Sequence, residues 1–203
     1  MQFLWHLVAL FVSQPRVASW LMRRAQRRPY SHITSADGGS VYMGRWWLFN
    51  PYGKDENGDE IPARLSWLPS VRIHHIMRPD QDRDLHDHPW NARTIVLRGW
   101  YMEERLKSAC SLQQLADCTQ IYAPIRNEGL GRVRLPRRAV FRRTQGYTGR
   151  LLFGQYHRIS EVSDGGVWTL FITWKKRGDW GFLVDGEKVH WRTYLGIDKG
   201  ASA

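Results

Sequence analysis

The sequence predicts an all-β domain, a barrel or sandwich, behind a short helical extension at the N-terminus. Three observations carry that expectation. After residue 28, short runs of β-type residues are separated by Gly, Pro, Asn and Asp turn signals. No strand–helix alternation intervenes, which argues against a parallel α/β sheet. The run 167–174 is apolar on both faces, as a central strand covered on both sides requires. Periodicity alone does not separate a jelly roll from other antiparallel barrels.

Composition sets the outer limits. At 203 residues, the chain suits one domain with appendages: an extension over 1–28, a barrel over 29–198 and a loose tail over 199–203. Eleven tryptophans and an apolar share of 42% exclude a wholly disordered chain. Lys plus Arg number 30 against 19 for Asp plus Glu, a net charge of +11. That excess points to nucleic acid, an anionic surface or an acidic small ligand as partner. Cys110 and Cys118 are too few for a secreted disulfide framework and read as free thiols, consistent with a cytoplasmic location.

In the extension, Leu4, Leu7, Val8 and Phe11 follow helical spacing; Pro15 interrupts, and Val17, Trp20 and Leu21 resume the pattern. Arg23, Arg24, Arg27 and Arg28 form a basic patch behind them. The apolar run is far below the ~20 residues needed to span a bilayer, so no membrane span is expected. It also lacks the basic start and cleavage site of a signal peptide. Packing on the barrel or a partner, an interfacial membrane helix and nucleic-acid contact all remain open.

Strands are expected over 40–43 and 45–49, around Gly44, followed by a polar loop with an Asn57-Gly58 turn signal. The next strand, 71–78, is closed by Pro79, and its His74 and His75 face opposite sides. Over 105–127, Ser111 is placed to cap a short helix through Leu112, Leu115 and Ala116, a lid or interface element. Gly129 and Gly131 lead into 133–135. Strands follow at 150–153, 156–159 and 167–174, and then a last hairpin around Asp185-Gly186, with Trp180 and Trp191 as core or edge covers.

Chemistry concentrates at Asp82-Arg83-Asp84-Leu85-His86-Asp87-His88-Pro89-Trp90, before a strand that Gly99 ends. Strand side chains alternate, so His86 and His88 point the same way, with Thr94, Val96 and Arg98 in phase if no bulge intervenes. Two imidazoles converging from one strand are half of a metal site. Asp82 and Asp84, with Arg83, are candidates for outer hydrogen bonds to those imidazoles. The Gly and terminal Glu of a calcium loop are absent. Asp87 points away and holds the turn. His74 or His75 is the candidate fourth ligand, and His190 is read as structural.

The arginines Arg132, Arg134, Arg137, Arg138, Arg142 and Arg143, interleaved with Phe141 and Tyr147, form the best nucleic-acid candidate. A solvated barrel face competes with that reading. So does an inward arginine gripping a carboxylate or phosphate bidentately, for which Arg93, Arg98, Arg142 and Arg143 are candidates.

His86, His88 and Gly99 resemble the first motif of the cupin superfamily: His-x-His, three or four residues, Glu, six residues, Gly. Ala92 stands where that motif has Glu. Gly131, Pro136 and Tyr156-His157-Arg158-Ile159 resemble the second motif, with an insertion before its histidine. A closer resemblance is to cupin-like proteins of phages and prophages. It is carried by Arg45-Trp46-Trp47, by Arg78 to Trp90, by the His-Arg-Ile, by Trp168 to Phe171 and by Trp180-Gly181-Phe182. The resemblance implies a double-stranded β-helix, a jelly-roll barrel, with His157 as third ligand of a divalent ion. Fe(II) is favoured over Zn, Mn or Ni, in a dioxygenase-like reaction on a small anionic substrate. It also implies a homodimer through strand edges, in the host cytoplasm or with the virion. The contrasting expectation is a non-catalytic binding module whose basic surface serves nucleic acid, a phage particle or a host protein.

Overall fold

The computed structural model describes residues 2–34, 39–56, 60–128 and 131–197. The Asn57-Gly58 signal, Gly129 and the tail lie outside the described residues. Two helices come first, α1 (Gln2–Val12) and α2 (Pro15–Gln26), with Pro15 in the first turn of α2, where its missing N–H costs nothing. Strands β1 (Ile33–Thr34) and β2 (Val41–Phe49) follow, then a small hairpin of β3 (Gly53–Lys54) and β4 (Glu60–Ile61). The two strands expected on either side of Gly44 are one continuous strand, the Trp46 indole covering the face that Gly44 leaves bare. Next come β5 (Ser70–Ile76), β6 (Leu85–His86), β7 (Trp90–Arg98) and β8 (Trp100–Leu106). Helix α3 (Leu112–Ala116) is capped as expected: Ser111 and Gln114 form a reciprocal capping box. After β9 (Gln120–Tyr122), strands β10 (Ile125–Glu128) and β11 (Gly131–Arg134) form a second small hairpin. The chain ends through β12 (Arg138–Thr144), β13 (Thr148–Leu151), β14 (His157–Val162), β15 (Val167–Lys176), β16 (Gly181–Val184), β17 (Glu187–His190) and α4 (Trp191–Tyr194).

These strands build two antiparallel sheets, ordered β1-β2-β5-β15-β7-β13 and β17-β16-β6-β14-β8-β12-β9. They face each other as a jelly-roll barrel, the all-β class expected. Ile76, Val96 and Val167 of the first sheet meet Tyr101 and Ile159 of the second in the interior. The opposite face of the first sheet is also covered: Ile73, Ile95, Leu97, Leu170 and Ile172 pack against Ala9, Ala18, Leu21, Met22 and Ala25 of the two helices. This explains why β15 is apolar on both faces, since it lies mid-sheet between β5 and β7 with cover on each side. Among the described residues no helix is long and apolar enough to cross a membrane.

One irregularity alters a side-chain direction. Where β7 meets β15 the register slips between Trp168 and Thr169, so Arg98 falls out of phase with Thr94 and Val96. Its guanidinium donates to Ser19 Oγ of α2 at 3.1 Å, on the helix side of the sheet. Arg98 is therefore no part of the barrel interior.

Candidate metal centre

Sheet register brings the three histidines together. β6 pairs with β14 so that His86 lies directly opposite His157, and His88 follows in the turn before β7. Ring centroids are 5.3 Å apart for His86–His88, 5.0 Å for His86–His157 and 5.1 Å for His88–His157. One nitrogen of each ring lies within 4.8 Å of the other two, and the Nε2 atoms of His88 and His157 are 2.9 Å apart.

Without an ion, that 2.9 Å contact requires one Nε2 to carry a hydrogen. With an ion, both present lone pairs to it. Burial favours the neutral imidazoles a cation needs: it pushes His86 down to about 4 and His88 well below the ordinary histidine range, with His157 as a further cause in both cases. The donor set therefore suits a divalent transition ion. Aromatic walls enclose it, with Trp180 and Phe182 beside His86, and Trp90 and Phe171 beside His88.

A carboxylate not singled out in the sequence stands behind the third ring. Glu103 on β8 is 1% exposed, and its Oε1 lies 3.2 Å from His157 Nδ1, off the line of an ideal hydrogen bond. A small swing of the ring would align them. The carboxylate then selects the tautomer with hydrogen on Nδ1, leaving the Nε2 lone pair free. Glu103 is held by Arg105 and by Arg143, each at 2.8 Å. Arg105, His157 and Arg143 keep its acid well below the usual carboxylate range, against the opposing effect of burial.

Other expected members are placed elsewhere. His74 points inward but stacks on Phe171 at 4.8 Å, outside the cluster, and burial keeps it neutral. His75 points outward, stacked 4.1 Å from Trp168 and 2.8 Å from the Gly165 carbonyl. The carboxylate nearest His86 is Asp80, at 3.9 Å, rather than Asp82 or Asp84. Asp80 also takes the Ile159 amide and the Tyr42 hydroxyl. Asp84 precedes the short β6 and turns to Arg83 and Tyr194, and Asp82 is half-buried with its acid raised by desolvation and by Asp80. Asp87 is fully buried and braces the turn through the Gly181 amide and Lys188. Ala92 packs against Leu151, Phe171 and Trp90, so that strand supplies no carboxylate. His190 lies beside Trp191, away from the three.

The arginines divide. Arg143 is spent on Glu103, and Arg138 on Glu104 at 2.7 Å, so neither belongs to an open basic face. Arg132, Arg134 and Arg137 are exposed, and Arg142 lies over the Trp100 ring at the surface. Arg93 sits beneath α1 on the outer side of the sheet, over Trp5 at 4.5 Å. The interior holds an arginine that sequence reading passed over. Arg72 is 1% exposed, donates to Tyr52 Oη at 2.8 Å, and is ringed by Tyr30, Trp47, Tyr52, Trp90 and Phe171 at 5.0–5.7 Å. Its strand alternation with Ile73 was the available signal.

No family model matches the sequence, and no curated protein does. Solved structures give slight likenesses. A point mutant of Bacillus subtilis oxalate decarboxylase aligns at TM-score 0.42 with 11% identity, over 88% of this chain and 35% of that one. Fe(II)-HppE with an alternative substrate aligns at 0.38 with 9% identity, over 71% and 55%. A cupin 2 conserved barrel domain protein from Rhodopseudomonas palustris aligns at 0.38 with 12% identity, over 85% and 84%. The chain thus spans about a third of the decarboxylase and about half of HppE. These values are too low to argue from, and the fold assignment rests on the sheet topology itself.

Proposed function

We propose that this barrel binds one divalent transition ion through His86, His88 and His157 and acts as a metal-dependent oxygenase of the cupin type on a small anionic substrate. The observation that carries this reading is the convergence of three imidazole nitrogens within 4.8 Å, two of the rings held neutral by burial. Fe(II) is placed there first, on the resemblance of the motifs, ahead of Zn, Mn or Ni. A bound ion with three neutral ligands keeps its full charge and would polarise oxygen donors in its open positions. The chain's own residues supply the rest. Glu103 orients His157, Asp80 lies at the outer nitrogen of His86, and the aromatic walls exclude water. Arg72, caged by aromatic rings, adds to the burial and the neighbouring histidines that keep His88 neutral.

One observation favours a second reading, a binding barrel with a structural ion: Ala92 occupies the position of the carboxylate in the resembling motif. The exposed Arg132, Arg134 and Arg137 would then provide a nucleic-acid surface.

Metal analysis of protein purified without a polyhistidine tag separates these outcomes. One equivalent of redox-active ion, lost in His157→Ala and kept in His190→Ala, supports the oxygenase reading. One equivalent of zinc without oxygen uptake supports the binding barrel. Absence of any stoichiometric ion, with none taken up in titration, overturns both forms of the metal site. Loss of a ligand histidine is expected to exceed the about 10–100-fold loss of affinity typical of removing an outer partner.

A further inference from the structure

The outer side of the first sheet carries a second concentration of positive charge that the metal centre does not use. A cavity of about 830 Å³ opens between α1 and the β13 edge, lined by Trp5, Asn91, Arg93, Arg150, Trp174 and Lys175, among others. Lys176 and Arg177 complete its rim. Among the described residues no Asp or Glu lines it. At its base Arg93 is 2% exposed; among the described residues its side chain donates from Nη1 to Thr148 Oγ1 at 2.9 Å and otherwise rests on the Trp5 ring at 4.5 Å. No carboxylate is in ion-pair reach of Arg93 or Arg150 among the described residues. Moreover, β13 pairs with β7 so that Arg150 lies directly opposite Arg93.

Two like charges facing across adjacent strands destabilise a sheet, and a guanidinium withdrawn from water without a counter-charge adds to that cost. Burial and Arg150 both push the Arg93 guanidinium down from its ordinary value, so the pair repels as placed. An anion between them would relieve both costs. Among the described residues, Lys176 is the one rim cation with a carboxylate, a solvent-exposed pair with Asp179 at 3.4 Å. The number of cations suits a dianion with several oxygens better than a single carboxylate, because arginine forks match phosphate geometry bidentately. Trp5, Leu152 and the 40%-exposed Trp174 offer an apolar wall for the body of such a ligand. The volume lies within the range of small-molecule sites.

We propose that this cavity is a binding site for a phosphate monoester with an apolar or planar body, independent of the metal centre. Such a phosphate could belong to a free metabolite or to a lipid headgroup, and the probes below distinguish them.

The test is thermal unfolding of the full chain against inorganic phosphate, adenosine monophosphate and phosphatidate-containing phosphatidylcholine vesicles. Sodium chloride holds ionic strength constant. Inorganic phosphate is expected to raise the unfolding temperature saturably, and Arg150→Ala, a change at an exposed side chain, to weaken that effect about 10-fold, the size of one charged hydrogen bond. Arg93→Gln should abolish it, while His157→Ala should leave it intact. Tighter response to adenosine monophosphate than to phosphate assigns a free metabolite. Arg150-dependent sedimentation with phosphatidate vesicles, without preference for the nucleotide, assigns a headgroup. A wild-type response to phosphate no larger than to chloride overturns the proposal, as does an unchanged response in Arg150→Ala and Arg93→Gln together.

Discussion

Glu103 is the residue on which the candidate site turns, because it joins His157 to a charged network spanning three neighbouring strands of the second sheet. Its two arginine partners hold it ionised, and in that state it can only accept, which orders the imidazole behind it. Glu103→Gln is expected to lower metal affinity about 10–100-fold by calorimetric titration. Asp84→Asn, whose carboxylate meets Arg83 and Tyr194, is expected to leave it unchanged. Equal losses in the two variants would show that Glu103 does not position the ring. His74 yields a prediction of a different kind. Burial, then Arg72 and Arg45, holds its pKa well below the ordinary value, whereas in the unfolded chain it titrates near 6.5. Above about pH 6.5 the ring is neutral in both states and costs nothing. Below it only the unfolded chain takes up the proton, so stability is lost as pH falls, at about 1.4 kcal/mol per pH unit. His74→Phe should gain stability relative to wild type between about pH 7 and about pH 5. A difference in melting temperature that stays constant with pH would refute the assignment. Of these residues, His86 and His88 were legible as a pair from their spacing, although they do not share the one strand expected: β6 ends at His86, and His88 lies in the turn that crosses to β7 in the other sheet. Glu103 was not, since Arg143 and His157 lie on other strands and a Glu-Glu pair in a polar-looking run does not reveal which acid faces inward.

At the scale of elements, Gly99 fixes the tight connection between β7 and β8. It has φ +82°, and a Cβ there would stand 2.8 Å from the Gly166 carbonyl oxygen. Gly99→Ala combines a left-handed backbone with a clash against main chain that cannot rotate away. The conformational part alone is about 1–2 kcal/mol, or roughly 2–8 °C in melting temperature for a chain of this size. Calorimetry would measure it. A shift under about 1 °C would mean that the turn relaxes without strain. The same scale explains which strands could be read in advance. β15 announced itself by composition, and the hairpin of β16 and β17 by Asp185 and Gly186, both of which adopt positive φ. β12 did not, because Arg138 and Arg143 made it look like a solvated patch. Their partners Glu104 and Glu103 sit on the adjacent β8, and no local pattern shows that pairing.

For the whole molecule, the decisive feature is that the first sheet is sandwiched, with a barrel interior on one side and the helical hairpin on the other. Removing residues 2–26 would uncover Ile73, Ile95, Leu97, Leu170 and Ile172 together, a contiguous apolar surface of the kind that drives association. Such a truncation is expected to bind hydrophobic dyes and to sediment as oligomers, while the three histidines, on the other side of the first sheet from the helices, keep their geometry. A monomeric, dye-silent truncation would show that the hairpin is dispensable. The packing of the extension was among the alternatives open from sequence. What decides it is the run of small residues, Ala9, Ala18 and Ala25, which lets the helices lie close to the sheet. There is also a consequence in time. The hairpin is made well before Leu170 and Ile172 of its platform, which lie more than a hundred residues further along the chain. At ordinary rates of synthesis that interval is on the order of ten seconds. During it, two helices wait without their docking surface, α1 apolar on its outward face as well, so the growing chain is expected to be open to early chaperone capture.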